Sequence, residues 1–173
     1  RNYTFYVPHD VEGLAKLMGG RRKFVEKLQM VFDEGLYDPA NEPDIAYAYL
    51  FSHFRGEEWR TQKETRRLLD KYFTTAPDGI PGNDDTGTMS AWAVFTMLGL
   101  YPDCPGEPYY TLTAPVFDRA EIDTDGGTLV IEKRGEGYIR KMTLGDKPLT
   151  KYRVGHDELL RGGKLTFELK NER

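Results

Sequence analysis

Apolar residues recur at helical spacing through the first hundred positions of the chain and at strand spacing through most of the rest. Asp10 stands before Val11, Leu14, Ala15, Leu17 and Met18, which predicts a helix with Asp10 as N-cap and Gly19-Gly20 as its stop. A second helix is predicted from Arg21 to about Leu36, with Phe24, Val25, Leu28, Val31 and Phe32 on one face and Arg22, Lys23, Glu26 and Lys27 on the other. Tyr37 to Pro43 holds two prolines and reads as a loop. Asp44 can cap a third helix containing Ile45, Tyr47, Ala48, Leu50 and Phe51. After a break at Arg55-Gly56, a fourth runs from Glu58 to about Phe73, charged outside with Leu68, Leu69, Tyr72 and Phe73 inside. The run from Met89 to Leu100 has almost no charge on any side. That predicts a helix buried all round, an inner helix of a layered or toroidal array.

After Gly106 the period changes. Tyr109–Leu112, Val116–Ile122, Thr128–Lys133, Tyr138–Leu144 and Lys164–Leu169 are short runs rich in β-branched and aromatic residues. Asp125-Gly126-Gly127, Gly135-Glu136-Gly137 and Leu144-Gly145-Asp146-Lys147-Pro148 separate some of them as turns. A helical insert, His156–Leu160, ends at Gly162-Gly163. The expected class is α+β, with helices over 1–106 and a small antiparallel β-sheet region over 107–173. Neither an internal repeat nor a low-complexity segment is visible.

Composition narrows the function classes. The 24 Lys+Arg against 28 Asp+Glu give net −4, so there is no basic surplus to drive nucleic-acid binding. No run of about 18 apolar residues exists, so no membrane-spanning helix is expected. Cys104 is the one cysteine, which excludes an internal disulfide and a cysteine-rich metal site. Aromatics make up 13% of the chain, half of them tyrosines, a composition that suits either a packed helical core or a sugar-stacking surface. The chain opens on Arg-Asn-Tyr-Thr with an apolar pattern already running, as expected for a piece of a longer protein.

Three short constellations can carry chemistry. In Pro81-Gly82-Asn83-Asp84-Asp85-Thr86-Gly87, two carboxylates and an amide stand between glycines just before the apolar helix. A helix N-terminus favours negative charge, and an ionised carboxylate that reaches a water is a general base. Capping alone would explain one aspartate but not both. Asn41-Glu42-Pro43-Asp44 again groups an amide with carboxylates, and such oxygens are hard ligands suited to calcium. If Asp44 only caps a helix, Asn41 and Glu42 remain unexplained. Pro8-His9-Asp10 pairs an imidazole with a carboxylate, either for orientation or simply at the helix cap. His53 and His156 have no partner in local sequence and read as surface or packing residues, and Cys104 reads as a packing residue.

In this order the segments resemble glycoside hydrolase family 92, the calcium-dependent exo-α-mannosidases. The resemblance is carried by Tyr3-Thr4-Phe5-Tyr6-Val7-Pro8-His9-Asp10, Leu17-Met18-Gly19-Gly20, Asn41-Glu42-Pro43, Trp59-Arg60-Thr61-Gln62, the long block from Gly79 to Trp92, Gly99-Leu100-Tyr101-Pro102 and Cys104-Pro105-Gly106. It implies that residues 1–106 are the C-terminal helices of an (α/α)6 catalytic toroid and that 107–173 are a β-rich C-terminal region. It implies inverting hydrolysis of terminal α-linked mannose, with Asp85 as base and Asn83 or Asp84 helping to place the water. Asn41 and Glu42 would line the sugar and bind Ca²⁺, with His9 and Asp10 also on the substrate side.

Two positions depart from the family pattern: Asn83 stands where relatives carry a carboxylate, and Asp44-Ile45-Ala46-Tyr47-Ala48 stands where many carry a histidine pair. The family's acid, a glutamate, falls upstream of Arg1, so the isolated piece is expected to be inactive. The implied partners are a mannose-containing glycan and the remainder of the parent chain, with no nucleic acid and no membrane. The implied location is exported, at a bacterial periplasm or cell surface. The competing expectation is a non-catalytic carbohydrate-binding or structural module.

Overall fold

In the computed structural model, residues 3–171 are described. The helices are α1 (Val11–Leu17), α2 (Arg21–Asp33), α3 (Glu58–Tyr72), α4 (Thr88–Leu98) and α5 (His156–Leu160), with 3-10 segments at Glu42–Asp44 and Tyr47–His53. The strands are β1 (Leu100–Tyr101), β2 (Tyr109–Leu112), β3 (Arg119–Thr124), β4 (Gly127–Arg134), β5 (Tyr138–Leu144), β6 (Lys147–Pro148), β7 (Arg153–Gly155) and β8 (Gly163–Lys170). The chain forms two compact units. One comprises the chain up to Ala93 with Asp103–Pro105, and the other comprises Val94–Pro102 and the chain from Gly106 onward.

In the helical unit, the Asp10 carboxylate accepts the Gly13 N–H at 2.8 Å and caps α1 as its position predicts. The five apolar residues expected on one face of α2 are all buried. α2 stops three residues short of the predicted end, where Gly35 turns the chain at φ 67°. Phe5 stands edge-on to Phe24 and Tyr47, with ring centroids 5.2 and 5.4 Å apart. Fully burying a side chain such as Phe24 stabilises the fold by about 1.5–3 kcal/mol.

The third helix differs from expectation. It is two 3-10 pieces, and Asp44 caps neither. Its carboxylate turns back to accept the Asp38 N–H at 2.9 Å, which tightens the loop before it. Tyr47 to Phe51 are five consecutive buried residues, so no solvent face imposes the 3.6-residue period. α3 follows its predicted span, but its inner face is half polar. Glu64 is buried there, held by Arg67 Nε at 2.7 Å and Gln29 Nε2 at 3.0 Å.

α4 is not buried all round. Met89, Trp92, Ala93 and Thr96 are covered, but Ala91 is exposed and Val94 is 55% exposed. A uniformly apolar helix carries no polar stripe to mark its outer side.

The β unit holds a three-stranded antiparallel sheet, β1-β2-β7, and a five-stranded sheet ordered β3-β4-β8-β5-β6. The second sheet is mixed, not antiparallel as expected, because β4 pairs with β8 in parallel. β4 and β5 run in opposite directions, and β8 enters between them, so it must be parallel to one neighbour. The Gly135-Glu136-Gly137 turn therefore bridges a gap one strand wide. A Cβ on Gly135 would stand 2.5 Å from the Leu169 carbonyl oxygen, so glycine is required where β8 passes. Leu129 and Ile131 of β4 pack with Leu165, Phe167 and Leu169 of β8 in the core.

Candidate functional site

The two aspartates before α4 have divided roles. Asp84 Oδ1 accepts the Ser90 N–H at 2.8 Å, and the Asp84 carbonyl accepts the Met89 N–H at 3.1 Å. Asp84 thus satisfies first-turn donors that the helix leaves open. The Asp85 carbonyl accepts the Thr88 hydroxyl at 2.7 Å and the Thr88 N–H at 3.2 Å. The Asp85 side chain is exposed and, among the described residues, makes no hydrogen bond or ion pair. Asn83 is exposed beside them. The capping role needs one carboxylate and uses Asp84, which leaves Asp85 presented outward.

The fold brings this loop to the second constellation. Gly82, at φ 68°, lies against Ala40, which precedes Asn41 and Glu42. Trp92 Nε1 of α4 donates to the Ile45 carbonyl at 3.0 Å, so helix and loop are tied at two points. Asn41 and Asp44 frame the loop from within, since the Asp44 N–H bonds the Asn41 carbonyl at 2.9 Å. Burial pushes the Asp44 carboxyl up to about 6, while the Asp38 N–H and the Asn41 side chain pull the other way. Among the described residues, neither Asn41 Nδ2 nor Asp44 Oδ1 has a partner at hydrogen-bond geometry. Glu42 is exposed and, among the described residues, without an ion pair.

Asn41 and Glu42 offer two hard oxygen donors, whose chemistry fits calcium as part of a shell of six to eight. No group of three or more His, Cys, Asp or Glu able to hold a metal ion occurs among the described residues. His9 and Asp10 lie at the exposed start of α1, where the Asp10 carboxylate serves the helix cap. The Tyr47 hydroxyl ties the segment before them to the 3-10 helix by accepting the Phe5 N–H at 3.1 Å. Burial raises that phenol to about 12.

Sequence reading missed two histidine partnerships. His53 Nε2 lies 2.8 Å from Asp103 Oδ2, with both side chains largely buried. In the β unit, His156 Nδ1 lies 2.9 Å from the Tyr110 hydroxyl. Partners some fifty residues apart leave no local signal. Cys104 is buried, as read.

Known proteins resemble this chain along nearly its whole length. The family model described as "Glycosyl hydrolase family 92 catalytic domain" matches residues 1–171. A protein of Arthroderma benhamiae described as an uncharacterized secreted glycosidase is 34% identical over 176 residues, 97% of this chain and 23% of its own length. A family GH92 α-mannosidase of Bacteroides thetaiotaomicron superposes with a TM-score of 0.91 at 29% identity, over 99% of this chain and 24% of its own. The same enzyme has also been solved with mannoimidazole. A family GH92 inverting mannosidase of that organism matches with a TM-score of 0.84 at 29% identity, over 98% of this chain and 27% of its own. The chain thus spans about a quarter of the length of these relatives.

Proposed function

The chain belongs to glycosyl hydrolase family 92, and from that premise we propose that it is the base-bearing part of an inverting, exo-acting α-mannosidase. In this reading Asp85 is the general base. It takes a proton from a water, whose oxygen attacks the anomeric carbon of a terminal mannose from the face opposite the departing glycan. The leaving oxygen is protonated by an acid outside residues 1–173, so these residues alone are inactive. What supports the assignment is the division of labour before α4: Asp84 is spent on the helix, and Asp85 is not. Asn83 or Asp84, beside the base, helps place the water.

Asn41 and Glu42, which follow Ala40 at its close approach to Gly82, line the mannose site. They supply two oxygen ligands to a calcium ion, with the remaining ligands coming from the rest of the enzyme. When bound, the ion is a hard positive centre for sugar hydroxyls. His9 and Asp10 extend the substrate side. The helices are the last part of an (α/α)6 toroid. The exposed Ala91 and Val94 of α4 are the face that the remaining helices cover. Export of the protein follows the description of its fungal relative as secreted.

The test is hydrolysis of an aryl α-mannoside by the full-length enzyme, with the first-formed anomer read by NMR. Release of β-mannose, loss of activity in Asp85→Asn and loss on chelation are expected. A fully active Asp85→Asn enzyme removes the base assignment, and release of α-mannose removes inversion.

A further inference from the structure

Three successive residues before α4 have left-handed backbone: Asp85 at φ 47°, Thr86 at φ 59° and Gly87 at φ 92°. Glycine adopts this conformation freely, whereas a β-branched threonine is an outlier there. The turn gains nothing from the Thr86 side chain. That side chain is exposed and, among the described residues, its hydroxyl has no hydrogen-bond partner. The hydroxyl of Thr88, two residues on, closes the turn by bonding the Asp85 carbonyl. The turn is therefore complete without Thr86, which glycine would serve with less strain. The polar groups that the left-handed run presents outward are the Asp85 carboxylate and the Thr86 hydroxyl, on adjacent residues.

We propose that Thr86 is a positioning residue for hydrolysis, its hydroxyl holding the water that Asp85 deprotonates. This rests on Asp85 being the base. The water proton passes to the Asp85 carboxylate and the water oxygen bonds the anomeric carbon as the glycosidic C–O bond breaks. The leaving oxygen takes the acid's proton. The threonine hydroxyl keeps its own bonds and contributes one hydrogen bond to the water.

The experiment compares Thr86→Ser, Thr86→Ala and Thr86→Gly in the full-length enzyme, by kinetics on an aryl α-mannoside and by thermal melting. Serine should stay within about twofold of the parent, while alanine and glycine lower kcat about tenfold with KM unchanged, the worth of one hydrogen bond. The glycine variant should melt no lower than the parent, so activity falls without loss of stability, a split that a purely structural residue does not produce. An alanine variant as active as the parent overturns the proposal. So does a loss confined to KM, or a serine variant as poor as alanine. Asp85→Asn is the control: if it stays active, the base reading falls and this proposal with it. If it is dead while alanine at 86 is fully active, only this proposal falls.

Discussion

Gly82 lies so close to Ala40 that a Cβ on residue 82 would stand 2.5 Å from the Ala40 Cβ. No rotamer change relieves that overlap, because an alanine Cβ is fixed by its backbone. Gly82 also sits at φ 68°, where a side chain costs about 1–2 kcal/mol. Gly82→Ala should destabilise the protein by about 2 kcal/mol or more. It should also lower the proposed mannosidase activity by pushing residues 83–85 from the Asn41-Glu42 loop. Denaturant melts and kinetics on the same variant check both, and a variant indistinguishable from the parent would show that the contact is slack.

The two aspartates should separate by readout. Asp84→Ala removes the acceptor of the Ser90 N–H and should cost about 0.5–2 kcal/mol of stability. Asp85→Asn should leave the melting temperature in place and lower kcat by about 100- to 10,000-fold. A reversed pattern would move the proposed base role to Asp84.

Asp44 gives a pH dependence with a defined sign. Its folded pKa of about 6 lies above the ordinary 3.8, because burial disfavours the charge. The folded state therefore holds a proton that the unfolded chain has lost. The stability contributed by Asp44 is full below pH 4, falls as pH rises through 6, and is absent above. Asp44→Asn should stabilise the protein at pH 7.5 relative to the parent, by about 1–3 kcal/mol, and show no such gain near pH 4. Urea melts at the two pH values check this, and an equal effect at both would exclude the titration.

Trp92→Phe keeps a ring near Phe73, which stacks on Trp92 at 5.4 Å, but leaves the buried Ile45 carbonyl without its donor. A cost of about 1–3 kcal/mol is expected. Amide exchange should rise at Ile45 and its neighbours. Unchanged exchange would mean that the Ile45 bond does not hold the loop.

Residues with a one-sided local pattern were legible in the sequence. The α2 stripe, the Asp10 cap and five of the strands announce themselves by period and turn chemistry, with β3 shifted by a few residues. Tyr47 to Phe51, buried on every side, carry no such period, and the predicted α-helix proved to be 3-10. The inner face of α3 was hidden because Thr61, Gln62, Glu64 and Thr65 are polar yet buried: Gln62 and Thr65 bond carbonyls one turn back in the helix, Thr61 accepts from Ser52 and Glu64 accepts from Gln29. The carboxylates of residues 83–85 stood out in sequence, but their division of labour did not. Only the backbone path decides which aspartate reaches Ser90. The contact of Gly82 with Ala40 spans forty-two positions and has no sequence signature at all.

The place of β8 between β4 and β5 governs the order in which the β unit can be built. Until the segment Gly163–Lys170 leaves the ribosome, β4 and β5 each carry an unpaired edge. The two halves of the larger sheet cannot join before that moment, and open edges invite pairing with other chains. Nascent chains stalled short of residue 163 should therefore accumulate as aggregates or chaperone clients, whatever the state of the helices made before them.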